Sequence, residues 1–339
     1  MRATGVGSMP GHGNGHSDYA EACRVVLGEL TDLPHLPELP ARGAIANMTG
    51  RALAVLDGLD ADLQPAGWRL TGTSGSAGVD HRRARSLLAQ DLDTVEELVQ
   101  DSPLTSGGGA FKIQVAGPWT LAATVERPRG DKILADHGAR RDLAQALAEG
   151  VRTHVRDVRR RLPGADTLVV QVDEPALSAV LAAQVPTASG FGKHRSIDLP
   201  EASQALEWVL GAIAEEGAIP WVHACAAGTP LDLLRKAGAK GLSVDLAQLT
   251  AADHDDLATA LEAGDTVALG VAPALAPVGT ELTDKTVTET VERWLDMLGL
   301  DAAYDIVLTP SCGLAGADWR WARTVLRILS ESARHLGSD

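Results

Sequence analysis

The sequence predicts an α/β fold, a (β/α)8 TIM barrel built as one domain over residues 1–339. Two observations carry that expectation. Short apolar runs alternate with longer amphipathic ones along the whole chain, as in a parallel sheet joined by helical crossovers. Eight such runs occur, and eight strand–helix units in roughly 300 residues suit a closed barrel. A third observation argues against a doubly wound open sheet: no G-x-G-x-x-G follows the first strand.

Taken in order, the strand candidates are "ATGVGSM" (3–9), "HLPELP" (35–40), "FKIQVAG" (111–117), "TLVVQVD" (167–173), "IPWVHAC" (219–225), "GLSVDL" (241–246), "TVALGV" (266–271) and "YDIVLTP" (304–310). Helical patterns fill the gaps, clearest at 143–162 and 199–217. "TSGSAGVDHRRARS" (73–86) and "SPLTSGGGAF" (102–111) read as Gly/Ser-rich loops at the barrel mouth. Nothing reads as a linker, a repeat or a low-complexity tract.

Composition excludes several function classes. The net charge of −15 opposes a nucleic-acid footprint or an anionic membrane surface. Aromatic residues make up 3% of the chain, too few for a stacking platform along a single strand. No apolar run is long enough to span a bilayer, and the first residues lack the apolar core of a signal peptide. Three cysteines are an odd number in a long chain and make no disulfide framework. A reduced, cytoplasmic protein is expected.

Polar residues gather at the C-terminal ends of the expected strands. Ser8 ends the first; Asp173 and Glu174 end "TLVVQVDE"; His223 and Cys225 end "IPWVHAC"; Asp245 ends "GLSVDL"; Cys312 follows the last. In a barrel these ends meet at one mouth, where active sites are built. Zinc takes thiolate and imidazole ligands, with carboxylate as an accepted fourth. His223 and Cys225 are two residues apart, so both side chains can point the same way from a strand end. Cys312 offers a second thiolate and Asp245 an oxygen. The alternative is that these cysteines simply pack, as Cys23 is expected to do in the helical run "DYAEACRVVLGEL". Asp173 and Glu174 likewise read either as site residues or as acids at a helix N-terminus.

Taken together, these stretches resemble the catalytic barrel of cobalamin-independent methionine synthase, in a short form without the extra N-terminal barrel. "GVGSMPG" resembles the family's I-G-S-F-P opening, "VAGPWT" its G-P-V-T turn, and "VQVDEPAL" its I-Q-I-D-E-P-A-L. "VHACA" matches the H-x-C pair, and "TPSCGLAG" the P-D-C-G-L segment. The resemblance implies methyl transfer to the thiol of L-homocysteine, giving L-methionine. It implies zinc held by His223, Cys225 and Cys312, with Asp245 standing where the family has a glutamate. It implies that Ser8 and the backbone of Gly7 and Met9 hold the substrate amino acid, with Asp173 on its ammonium. The methyl donor is expected to be a methyl-folate or a methyl-corrinoid, free or delivered by a partner protein. Two departures bear on that choice. Thr124 stands near the family's folate-side tryptophan, and Leu275 near its donor histidine; Trp119 is a candidate substitute. Alkyl transfer to another thiol, and a structural zinc in a binding subunit, stay open as alternatives. A related barrel family that decarboxylates porphyrins without metal has no need of His223, Cys225 and Cys312 together.

Overall fold

The strands run in chain order as β1 (Arg2–Ala3), β2 (Ala61–Gln64), β3 (Gly67–Leu70), β4 (Gly109–Ala116), β5 (Ala165–Asp173), β6 (Ile219–His223), β7 (Gly241–Asp245), β8 (Thr266–Ala272) and β9 (Ile306–Pro310). The structure, a computed structural model, describes residues 1–11, 16–71, 77–279 and 281–337. Seven of the strands form one parallel sheet in the order β1-β9-β8-β7-β6-β5-β4.

Residues 34–38 close the ring between its two edges. On one side Lys112 N donates to Pro34 O (2.9 Å) and Leu36 N to Lys112 O (2.8 Å). On the other, Glu38 N donates to Gly7 O (3.1 Å) and Met9 N to Glu38 O (2.8 Å). The sequence places a strand here, and the structure gives only isolated bridges, at His35 and at Glu38. The cause is local: Pro34, Pro37 and Pro40 have no N–H to donate, so a continuous ladder cannot form. The first expected strand is similarly shortened to Arg2–Ala3, with one further bridge at Ser8.

The helices are α1 (His16–Glu29), α2 (Met48–Val55), α3 (Val79–Leu98), α4 (Pro103–Ser106), α5 (Pro118–Thr124), α6 (His137–Arg161), α7 (Leu177–Leu181), α8 (Leu199–Glu215), α9 (Leu231–Lys236), α10 (Ala251–Glu262), α11 (Asp284–Leu298) and α12 (Trp319–Leu336). Two expected loops are corrected. Residues 79–86 open α3, because Ala84, Leu88, Leu92 and Val95 recur at helical spacing and are buried, while the arginines between them face out. The beginning of that stretch, at residues 73–76, lies outside the described residues. In "SPLTSGGGAF", Ser102 caps the short α4, and β4 starts at Gly109. The antiparallel hairpin β2–β3 was not expected from the sequence; it buries Trp68, whose Nε1 donates to Ala44 O (3.2 Å).

The main core lies between the sheet and the helices. A second apolar cluster of Leu33, Val169, Trp221, Ala268 and Val307 plugs the barrel interior near the strand starts. Side chains alternate along each strand. Moving up β5 and β6 therefore exchanges this plug for Gln171, then for Asp173 beside His223. The polar layer lies at the C-terminal mouth, open to substrate, with an apolar floor beneath it. Among the described residues no helix is long and apolar enough to cross a membrane.

Candidate metal and substrate centre

His223 is the last residue of β6 and is 3% exposed. Its Nδ1 lies 2.9 Å from the Oγ of Ser243, the residue opposite it on β7. Its Nε2 is buried without a hydrogen-bond partner. A buried ring nitrogen with no partner is costly, and one whose sister nitrogen is anchored is the usual state of a metal-ligating histidine. The anchor fixes the orientation of the ring, whichever of the two groups donates.

Cys225 and Cys312 complete the cluster. Their sulfurs are 3.4 Å apart, unbridged, and the ligand atoms of His223, Cys225 and Cys312 all lie within 4.8 Å of one another. Two sulfurs on one tetrahedral zinc sit about 3.8 Å apart, so little movement separates this arrangement from a ligating one. The two thiols are hydrogen-bonded to each other. Cys225 is pushed up, first by giving its S–H to Cys312 and then by burial. Cys312 is pulled down by accepting that bond and by His223. The orphaned nitrogen and the paired thiols fit zinc.

Asp245 ends β7 but stands outside this three-residue group. Its Oδ1 accepts from Ala247 N (3.0 Å), capping the turn that follows. Burial raises its pKa, opposed by the Ala247 N–H and by His223, while Cys312 adds to the rise.

The thiols open onto a pocket of about 230 Å3. Gly7, Ser8, Glu38 and Asp173 face it, together with His223, Cys225 and Cys312. Close approaches fix two glycines there. A Cβ on Gly313 would come 2.1 Å from Ser8 Oγ, and one on Gly7 would come 2.9 Å from the Gln114 side chain. Met9 takes a different part: its side chain is buried in the core, and its N–H is spent on Glu38 O. A larger open cavity of about 670 Å3 lies over α12 beside Arg320 and Trp321, and none of these site residues lines it.

Sequence reasoning missed Glu38. An acid inside an otherwise apolar, proline-rich strand candidate was the available signal. Glu38 is 5% exposed and takes bonds from Gln114 Nε2 (3.1 Å) and Arg51 Nε (3.2 Å). Arg51 reaches on to Asp91 (2.6 Å), which Arg42 grips with both nitrogens at 2.7 Å. The Arg42 guanidinium lies 4.6 Å from the Tyr19 ring centre. Breaking a buried ionic set of this kind costs about 3–5 kcal/mol, because one charge is left without its partner. The Glu38 side chain is therefore fixed in place at the pocket edge.

Asp173 and Glu174 separate into two roles. Asp173 enters the pocket, where burial raises its pKa and His223 opposes the rise. Glu174 turns away and caps α5, a helix other than its own. It accepts from Trp119 N (2.9 Å), Thr120 N (2.8 Å) and Thr120 Oγ1 (2.7 Å). The helix N-terminal reading thus holds for Glu174 and not for Asp173. Trp119 is buried with its Nε1 on Ala202 O (3.0 Å), so its ring is unavailable to a ligand. Thr124 is exposed and spends its hydroxyl on Thr120 O (2.8 Å), while Leu275 projects from the loop after β8.

Among curated proteins no sequence matches the chain. A solved B12-independent methionine synthase from Shewanella sp. W3-18-1, in complex with selenomethionine, shares the fold with a TM-score of 0.64 at 15% identity, covering 99% of this chain and 98% of that one. An E. coli 3-keto-D-glucoside 4-epimerase is more distant (TM-score 0.40, 13% identity, 72% of this chain and 85% of that one). So is a D-tagatose 3-epimerase-like protein (TM-score 0.39, 13% identity, 74% and 84%). The family model described as the catalytic domain of cobalamin-independent synthase matches residues 110–335, well over half of the chain. The chain belongs to the family of cobalamin-independent synthase catalytic domains.

Proposed function

We propose that this protein transfers a methyl group to the thiol of L-homocysteine, forming L-methionine, with zinc held by His223, Cys225 and Cys312. The carrying observation is the polarity of one small pocket. Two thiols, an imidazole nitrogen without a hydrogen-bond partner and the carboxyl groups of Glu38 and Asp173 line the same small cavity. An amino acid with a thiol at its far end would meet both kinds of group at once. The family match and the fold shared with a methionine synthase support the same reading.

The chain's own residues then divide the work. Asp173 and Glu38 accept hydrogen bonds from the substrate ammonium, and Ser8 with the Gly7 backbone meets its carboxylate. Val6, Pro40, Met48 and Pro175 line the pocket with apolar surface, which excludes water and strengthens those charge contacts. Asp245, which caps the turn at Ala247 and stands outside the three-residue group, would be the weakest of the four residues holding the metal. Zinc would supply Lewis acidity that lowers the pKa of a substrate thiol toward neutrality. In the transfer, the substrate sulfur forms a bond to the methyl carbon. The bond from that carbon to its carrier breaks, and the carrier keeps the electron pair.

A nitrogen carrier such as a folate ring must be protonated to leave, whereas cobalt need not be. Thr124 and Leu275 offer no acid, and the Trp119 indole is locked inside the α5–α8 contact. A methyl-corrinoid donor fits these residues best. The test is methionine formation by the purified protein from homocysteine and either methylcobalamin or methyl-tetrahydrofolate at matched concentrations. Turnover is expected with the corrinoid and weak or absent with free methyl-folate. Fast turnover with methyl-folate alone overturns the donor assignment. Turnover with folate only after cell extract is added assigns delivery to a partner protein. No methionine from any donor overturns the function itself.

A further inference from the structure

A lysine lies beneath the pocket, inside the barrel. Lys112, on β4, is 0% exposed, a rare state for a lysine unless it is paired. Its Nζ donates to Val6 O (2.9 Å) and to Gln171 Oε1 (3.0 Å). The Gln171 Nε2 in turn donates to Val6 O (2.8 Å) and to Asp173 Oδ1 (2.7 Å). The ammonium fixes the amide. With the carbonyl facing Lys112, the NH2 must face the carboxylate; a flip would set donor against donor and acceptor against acceptor. Two pocket features are thereby joined to one buried cation. One is the Asp173 carboxylate. The other is the Val6 carbonyl, immediately before Gly7 and Ser8.

Charge completes the arrangement. Burial alone pulls the Lys112 ammonium toward neutrality, and Asp173 and Glu38 pull it back toward the charged form. The same attraction lets two carboxylates share one small pocket despite their mutual repulsion. Arg51 serves Glu38 from outside the barrel, and Lys112 serves from within.

The geometry points to Lys112 and Gln171 as positioning residues for the amino end of the substrate, holding Asp173 and the Val6–Ser8 segment in the arrangement that distinguishes an amino acid from a thiol lacking the amine. The inference rests on the reading of this pocket as a homocysteine site. A purely structural role would satisfy the barrel interior without affecting that discrimination, so discrimination is the quantity to measure.

The experiment compares the binding of homocysteine and 4-mercaptobutanoate, the same chain without its amine, to zinc-loaded protein by calorimetry. Wild type should prefer homocysteine by at least about tenfold, because loss of the ammonium leaves buried carboxylates unpaired. Lys112→Met should lose about tenfold of that preference. Its zinc content and its affinity for 4-mercaptobutanoate should stay at the wild-type level. Gln171→Met should do the same, and decides the matter if Lys112→Met does not fold. A folded variant of either kind that keeps the full preference overturns the proposal. A wild type that binds the two ligands equally overturns the homocysteine reading itself, and this inference with it.

Discussion

The two sides of the pocket are finished to different degrees. On the amino-acid side every charged group has a protein partner: Glu38 has Arg51 and Gln114, Asp173 has Gln171, and Lys112 closes the set from below. On the thiol side the partners run out. His223 Nε2 has no hydrogen-bond partner, and the two cysteine sulfurs lie 3.4 Å apart. The first set is held by these contacts without a ligand. The second brings together three groups whose chemistry suits a soft cation. The difference teaches where each kind of substitution should act: metal content on one side, substrate affinity on the other.

The largest effect is expected from Cys312→Ser. Loss of a supporting second-sphere partner typically costs about 10–100-fold in metal affinity, and a direct ligand costs more. Elemental analysis should find almost no zinc in the purified variant, with turnover falling in parallel. Full zinc occupancy would break the comparison at its strongest point. Next comes Asp173→Asn, on the other side. It removes the charge facing the substrate ammonium and should weaken homocysteine binding by about 10–100-fold while zinc stays in place. Unchanged binding by calorimetry would leave Asp173 a structural residue.

Smaller changes sharpen the boundary. Ser243→Ala frees the Nδ1 of His223 and should lower zinc affinity about tenfold, read by competition with a chelator. Homocysteine affinity of the fully loaded variant should not move. Asp245→Ala should have the smallest effect, a loss of zinc affinity below about tenfold, because its carboxylate already caps a turn and stands apart from the cluster. A loss as deep as that of Cys312→Ser would make Asp245 a full ligand.

Much of the thiol side was legible in the sequence because each residue follows a readable apolar strand. His223 and Cys225 end one such run, and Cys312 follows another; the structure brings the three together. Less of the amino-acid side was legible. Glu38 sits among prolines that interrupt the strand signal. Lys112 and Gln171 look like ordinary polar alternation on a half-buried strand, and only the closed barrel turns them inward. The Arg51–Asp91 pair spans 40 positions, and no local pattern predicts such a partner. The beginning of α3 was read as loop because its Gly/Ser-rich lead-in outweighed the buried face that follows.

The proline-interrupted segment at 34–38 has a consequence for folding order. Strands β4 to β9 are neighbours in sequence as well as in space, so each pairing closes a short loop. The seam instead joins residues near the N-terminus to a strand about 300 positions away, through β1 and β9, and loop closure of that length is slow. Four backbone bonds then attach the 34–38 segment on its two edges. The thiol-bearing strands can therefore assemble first, with the wall that reads the amino group added last. The same seam is the part that should open most readily in the native state. In hydrogen–deuterium exchange, the amides of Glu38 and Met9 should exchange ahead of that of Val222 in β6. Glu38 and the Gly7–Met9 backbone would then lie on the part of the barrel that opens first.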